Sequence, residues 1–182
     1  MKIAFIGKIC SGKTWCVDFL NNYRNEHLGA DDTPFYITRF AKMVKRIASE
    51  LFFMTVKDRH LLQQIGTKMR EIRDDVYVNY VIHECREREY CLLDDARYVN
   101  EIMRLRDNGW TLVKLDISPE LQRERIMRCY PDTYEEHLGR LEHESETQQD
   151  TIPLDTYHYI INIAEDDVKT SLIKIYNDRI DY

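Results

Sequence analysis

Eight residues near the start of the chain have the types and spacing of a loop that binds phosphate. The segment GKICSGKT from Gly7 to Thr14 matches G-x-x-x-x-G-K-[ST] at every fixed position. Backbone N–H groups of such a loop surround an anion, and the positive end of a following helix strengthens the field there. We expect Lys13 to contact the β- and γ-phosphates of a nucleotide and the Thr14 hydroxyl to ligate Mg²⁺. The predicted nucleotide-binding residues are Gly7, Lys8, Ile9, Cys10, Ser11, Gly12, Lys13 and Thr14.

The residues on either side supply the strand and the helix that this loop needs. An apolar run from Ile3 to Ile6 precedes it and predicts a buried strand. Apolar residues at helical spacing follow it, at Cys16, Phe19, Leu20 and Tyr23. A glycine-rich turn that matches by accident is the alternative, and the position directly after the first strand argues against it.

Length and composition exclude several other classes of protein. The 182 residues are 43% apolar and 32% charged, which predicts one domain with a sizeable core. A net charge of −6 argues against a broad nucleic-acid surface, because such surfaces rest on many Lys and Arg contacts to phosphate. No apolar run has membrane-spanning length, and the first residues already predict a strand, so we expect a cytoplasmic protein without a membrane partner. Five cysteines without a C-x-x-C pair indicate reduced thiols rather than a zinc site.

Strands and helices alternate along the chain. After the first strand, further strands are predicted near 35–38, 90–93, 111–117 and 157–163, with amphipathic helices between them. This order predicts an α/β fold with a parallel five-stranded sheet and helices on both faces. Residues 129–151 lack apolar periodicity and exceed the usual length of a connection, so we expect a lid there.

Two adjacent carboxylates follow the predicted strand at 90–93. Asp94 and Asp95 stand where the carboxyl end of a central strand meets the loop that binds phosphate. We expect Asp95, or its neighbour Asp94, to hold Mg²⁺, and one of the pair can instead cap a helix.

Arginines are the residues expected to neutralise charge along a phosphoryl-transfer path. Arg123, Arg125 and Arg128 lie on the helix that leads into the lid, and we expect at least one of them to contact phosphate. Arg125 and Arg128 are three residues apart, so they share a face. Arg97 lies just beyond the strand end, and Arg70 lies beside Gly66, a glycine in the middle of a predicted helix. For each arginine the alternative is a surface ion pair.

Several blocks in order give the chain a family resemblance. They are the loop at 7–14, FAKMVK from Phe40, LLQQIGTKMR at 61–70, DARYVNE at 95–101 and HESET at 143–147. With these blocks the chain resembles the phage-type deoxynucleoside monophosphate kinases, within the P-loop nucleotide and nucleoside kinases. The resemblance implies a three-layer P-loop NTPase fold over residues 1–182, with an acceptor-binding helical region at about 39–89 and the lid at about 129–151.

The resemblance also implies partners and roles. ATP and Mg²⁺ are expected at Lys13, Thr14 and Asp95, with Arg125 and Arg128 as further catalytic residues. The implied acceptor-binding residues are Phe40, Lys42, Arg70 and Arg97. The lid departs from related kinases, since adenylate kinases and dephospho-coenzyme A kinases usually space two lid arginines four apart.

The implied activity is transfer of the γ-phosphoryl group of ATP to a deoxynucleoside monophosphate. One alternative is a kinase for dephospho-coenzyme A or another small alcohol, which would need an Asp as base. Another is a regulatory module that binds a nucleotide without catalysis. The sequence leaves open which base is selected and whether the protein forms a homodimer.

Overall fold

A parallel sheet of five strands forms the centre of the described part of the chain, which in this computed structural model comprises residues 1–29, 32–139 and 141–180. The strand order is β2-β3-β1-β4-β5. Their bounds are Lys2–Ile6 (β1), Tyr36–Thr38 (β2), Cys91–Leu93 (β3), Thr111–Asp116 (β4) and Tyr159–Asn162 (β5). The predicted α/β architecture is therefore confirmed. Positions 30, 31, 140, 181 and 182 of the predicted domain lie outside the described residues.

The middle strand is apolar on both faces because both faces are covered. Ala4 and Ile6 of β1 enter one hydrophobic cluster, and Ile3 and Phe5 enter the other. All four side chains are fully buried. This explains why the run shows no alternation of polar and apolar residues, as expected for a strand of a parallel sheet.

Helices pack on both faces of the sheet. Their bounds in the described residues are Lys13–His27 (α1), Phe40–Leu51 (α2), Arg59–Ile72 (α3), Val76–Glu84 (α4), Val99–Asp107 (α5), Pro119–Cys129 (α6), Tyr134–Leu138 (α7), Glu144–Thr147 (α8) and Val168–Ile180 (α9). Helices α1 and α9 contribute to the cluster around Phe5, and α2, α4 and α5 contribute to the cluster around Ile6. None of the helices within these described ranges is long and apolar enough to cross a bilayer.

Local sequence signals mark one end of each of two helices, α6 and α5. The Ser118 hydroxyl accepts a hydrogen bond from the Leu121 N–H at 3.2 Å, and Pro119 is the first residue of α6. Gly109 follows α5 with a φ of 77°, a conformation that costs glycine nothing.

The segment after α6 differs from the expected loop. Helices α7 and α8 and short 3₁₀ turns at 131–133 and 148–151 occupy most of it. Helices of four or five residues are too short to produce apolar periodicity, which is why the sequence pattern does not reveal them. Arg140, inside the predicted lid, lies outside the described residues. That this segment acts as a moving lid stays a prediction.

A partly buried carboxylate joins the helical region at about 39–89 to the sheet. Glu84, at the end of α4, accepts hydrogen bonds from Tyr36 Oη (2.7 Å), Thr38 Oγ1 (2.7 Å), Lys42 Nζ (2.9 Å) and Tyr80 Oη (2.8 Å). Burial by itself would raise the pKa of Glu84, but these hydrogen bonds outweigh it and lower the pKa to about 2. Hydrogen bonds to the Glu84 carboxylate thus connect strand β2 with helices α2 and α4.

Candidate functional site

The phosphate-binding loop requires its glycines for two different reasons. A Cβ on Gly7 would lie 2.6 Å from Ser11 Oγ and 2.9 Å from the Leu115 carbonyl oxygen, so only glycine fits between the loop and β4. Gly12 has a φ of 101°, and Cys10 also has a positive φ, of 62°. These conformations turn the chain sharply before α1 begins at Lys13.

Lys13 lies folded against its own loop. Its Nζ donates to the carbonyl oxygens of Gly7 at 2.6 Å and Lys8 at 2.8 Å, and the side chain is buried. Burial, and then the charge of Arg97, lowers the pKa of Lys13 to about 8. An ammonium held in this way is close to the loop N–H groups and gains a favourable partner when an anion enters.

Asp94 lies beside Thr14 at the carboxyl end of β3. The Thr14 hydroxyl donates to Asp94 Oδ2 at 2.7 Å, and Arg39 holds the same carboxylate through Nε (2.6 Å) and Nη2 (3.0 Å). A hydroxyl and a carboxylate side by side are the hard oxygen ligands that Mg²⁺ prefers. The residues present therefore fit a magnesium ion at Thr14 and Asp94.

Asp95, the carboxylate favoured from sequence for the metal, has a different set of partners. It accepts the N–H groups of Phe40 at 3.0 Å and Ala41 at 2.9 Å, which are the first residues of α2. It thus satisfies two N–H groups that a helix start leaves unpaired. Burial raises the pKa of Asp95 to about 6, even though these two hydrogen bonds act in the opposite direction.

Arginines from three parts of the chain surround a cavity of about 780 Å³ above the loop. Arg125 of α6 donates through Nη1 to the carbonyl oxygens of Cys10 (3.3 Å) and Ser11 (3.4 Å). The charged side chains that line the cavity are Lys13, Arg39, Asp94, Asp95, Arg97, Arg125 and Arg128. Arg125 and Arg128, which share a face by their spacing, both line the cavity, and Arg123 is not among the residues that line it.

Two arginines predicted to meet the acceptor are each held by a buried carboxylate. Arg97 lines the cavity and pairs with Glu146. Arg70 donates to Glu101 Oε1 at 2.8 Å and to the Gly66 carbonyl oxygen at 3.3 Å. The guanidinium of Arg70 therefore lies close to the glycine that is unusual in the middle of α3.

Two other predicted acceptor-binding residues, like Arg70, are not among the residues that line this cavity. Phe40 is buried in the hydrophobic cluster beneath α2. Lys42 points to Glu84 and borders a separate groove between α2 and α3. The structure therefore does not bring either side chain to the loop, and a direct role in acceptor binding gains no support from their placement.

Sequence reasoning assigned no role to three residues of the site, although two of them, Glu101 and Glu146, lie in the blocks that carry the resemblance. Arg39 directly follows β2, so the rule that crevices form at the carboxyl ends of parallel strands could have found it. Glu101 is fully buried and also accepts the N–H of Arg97 at 3.0 Å. Glu146 reaches the loop across 137 positions of sequence, and no local pattern encodes that contact.

The comparisons with known proteins concern the fold. No protein-family model matches the chain, and no curated protein sequence matches it. A solved shikimate kinase from Acinetobacter baumannii in complex with shikimate superposes with a TM-score of 0.56 and 17% identity, covering 99% of this chain and 93% of that one.

Two further solved structures agree with the first. A shikimate kinase from Bacteroides thetaiotaomicron gives a TM-score of 0.57 at 16% identity, over 100% of this chain and 99% of that one. An uncharacterized protein from Eubacterium ventriosum gives 0.62 at 13% identity, again over 100% and 99%. At such identities the likeness shows the fold alone, and the chain has the α/β P-loop fold that these kinases share.

Proposed function

We propose that this protein is a kinase that transfers the γ-phosphoryl group of ATP to a deoxynucleoside monophosphate. The observation that carries the proposal is the charge of the cavity. Among the described residues that line it, five side chains are cationic and two are anionic. Glu146, which pairs with Arg97, adds a third anionic group beside the cavity. Arg39 and Arg97 nevertheless bring two guanidinium groups to the cavity from outside the loop and α6, and an acceptor phosphate with a charge of about −1.5 to −2 is the kind of ligand that such groups bind.

On the ATP side, the loop residues 7–14 and Lys13 bind the β- and γ-phosphates. Thr14 and Asp94 hold Mg²⁺, which when bound neutralises charge on the phosphate oxygens. We assign the Mg²⁺-binding carboxylate to Asp94 instead of Asp95, because Asp94 contacts Thr14 whereas Asp95 accepts hydrogen bonds from the first residues of α2.

On the acceptor side, Arg39 and Arg97 bind the phosphate of the monophosphate, and Arg70 supports that side through its ion pair with Glu101, which also accepts the N–H of Arg97. An oxygen of the acceptor phosphate attacks the γ-phosphorus, the bond from that phosphorus to the bridging oxygen breaks, and ADP leaves. The attacking oxygen is already ionised at neutral pH, so no general base is needed. Arg125 and Arg128 stabilise the charge on the transferred group.

A second candidate is a kinase for an alcohol such as shikimate or dephospho-coenzyme A. Two observations favour it: the similar structures include shikimate kinases, and Asp95 lines the cavity with its pKa raised to about 6. A carboxylate with that pKa could accept the proton of a hydroxyl acceptor. The guanidinium groups of Arg39 and Arg97 at the cavity and the resemblance of the ordered sequence blocks favour the monophosphate.

One experiment distinguishes the monophosphate kinase, the alcohol kinase and the regulatory module. ADP formation from ATP is measured with each deoxynucleoside monophosphate, each ribonucleoside monophosphate, shikimate, dephospho-coenzyme A and no acceptor. We expect turnover with at least one deoxynucleoside monophosphate and only background with the alcohols. Turnover with an alcohol alone would select the second candidate, and ATP binding without turnover on any acceptor would select a regulatory module.

A further inference from the structure

Glu146 is a buried carboxylate beside the cavity, and the proposed reaction assigns no role to it. Only 5% of the residue is exposed. Its Oε2 accepts the N–H of Ile9 in the phosphate-binding loop at 2.7 Å, and its Oε1 accepts a hydrogen bond from Arg97 Nη1. One side chain thus joins the loop to an arginine that we assign to the acceptor phosphate.

The chain around Glu146 holds the carboxylate in place from both sides. Gln149 Nε2 donates to the Glu146 carbonyl oxygen at 3.2 Å, and Tyr157 Oη donates to the Gln149 carbonyl oxygen at 3.4 Å. On the other side, the Val99 N–H donates to Gln148 Oε1 at 3.2 Å, which fastens the segment to the start of α5. Hydrogen bonds thus connect the backbone around Glu146 to Tyr157 and to the start of α5.

The contact fixes more than one atom of Arg97. A guanidinium is planar and presents its N–H groups in a rigid fork, so holding one nitrogen restricts the direction of the others. Glu146 uses Nη1, and Arg97 also lines the cavity. Within the described residues, Glu146 is the side-chain partner of the Arg97 guanidinium, and the other N–H groups of that guanidinium can bind a phosphate.

We propose that Glu146 is a positioning residue that orients Arg97 for the acceptor phosphate and joins residues 141–151 to the phosphate-binding loop. This proposal rests on the proposed function, because it takes the acceptor phosphate as the ligand of Arg97. The opposite role is also testable: a carboxylate that competes with bound phosphate for the Ile9 N–H would weaken substrate binding, and its removal would strengthen it.

The test is a double-mutant cycle on Glu146 and Arg97. Glu146→Gln keeps an oxygen for the Ile9 N–H and removes the charge that holds Arg97. We expect it to raise the KM for the acceptor about tenfold while the KM for ATP changes less than threefold. Arg97→Ala should raise the acceptor KM at least as much, and the double variant should match Arg97→Ala within twofold, because Glu146 acts through Arg97.

The control is Glu142→Gln, which removes an exposed carboxylate four residues earlier in the same segment and should leave both KM values unchanged. If Glu146→Gln does not fold, as judged by thermal unfolding, Glu146→Asp carries the same cycle. Additive effects of the two substitutions would overturn the proposal, as would tighter binding of ATP or acceptor to Glu146→Gln.

Failure of the proposed function has a different signature. If the wild-type protein uses another acceptor, the cycle is repeated with that acceptor; if it uses none, the affinity for inorganic phosphate is measured by calorimetry instead. Coupling between Glu146 and Arg97 in either measurement supports the positioning role even when deoxynucleoside monophosphates are not substrates. Additivity there overturns it.

Discussion

Lys13 is the residue on which the donor side of the site depends. Its ammonium is buried within the loop and faces the space that the phosphates would enter. We predict that Lys13→Ala lowers kcat by at least ~100-fold, because removing one preorganised donor from a phosphoryl-transfer site costs about that much. Steady-state ADP formation measures it. Lys68→Ala removes an exposed lysine of α3 and should have no effect, and a loss below tenfold in Lys13→Ala would mean that Lys13 has been misassigned.

Asp94 and Asp95 are neighbours with separable roles. We predict that Asp94→Asn raises the Mg²⁺ concentration for half-maximal activity at least tenfold, since a carboxylate ligand is lost beside Thr14. Asp95→Asn should leave the Mg²⁺ requirement near that of the wild type and lower the Tm, because Asp95 binds the first N–H groups of α2. Activity titrated with Mg²⁺ and thermal unfolding give the two readouts. A higher Mg²⁺ requirement in Asp95→Asn, with a lower Tm in Asp94→Asn, would assign the metal to Asp95 instead.

At the scale of elements, helix α6 decides which of its arginines line the cavity. Arg125 contacts the loop carbonyl oxygens from one face of the helix, and Arg123, two positions earlier, is exposed. We predict that Arg125→Ala lowers kcat about 100-fold, through lost stabilisation of the transferred phosphoryl group. Arg123→Ala on the same helix is the matched control, and equal losses in both variants would show that α6 acts through general charge rather than through one face.

Glu84 fastens β2, α2 and α4 together, and its effect belongs to stability. A folded-state pKa of about 2 lies below the unfolded value, so the carboxylate contributes stability at neutral pH that is lost as pH falls from about 4.5 towards 2. We predict that Glu84→Gln lowers the free energy of unfolding by about 1–3 kcal/mol at pH 7, and that its difference from the wild type shrinks towards pH 2.

Urea unfolding at pH 7 and pH 3 measures this difference. Glu71→Gln removes an exposed partner of Lys68 and should cost less than about 0.5 kcal/mol at either pH. A Glu84→Gln effect that is the same at both pH values would mean that packing, rather than charge, is what Glu84 contributes.

At the scale of the molecule, the cavity lies between the loop, α6 and the end of β3, so a ligand there ties these parts together. We predict that a non-hydrolysable ATP analogue at 100 times its Kd stabilises the protein by about 2.7 kcal/mol. For a chain of this size that is a rise in Tm of roughly 5–10 °C. The preferred monophosphate should add a further rise and shikimate none, as measured by differential scanning fluorimetry. A larger rise with shikimate would favour the alcohol kinase.

The sequence alone determined the fold class and the position of the phosphate-binding loop. The loop at 7–14 is a local signal because its glycines, Lys13 and Thr14 act within one turn of chain, and the alternation of strands and helices specified a parallel sheet. Helix ends at Ser118 and Gly109 were likewise encoded within three or four residues.

Only the tertiary structure decided which side chains meet. Thr14 contacts Asp94 across 80 positions, and Glu146 contacts Ile9 across 137. Asp94 and Asp95 are adjacent in sequence, yet side chains of successive residues past a strand end point in different directions, so one faces Thr14 and the other the start of α2. Sequence spacing describes one face of one element, whereas an active site is formed by the ends of several.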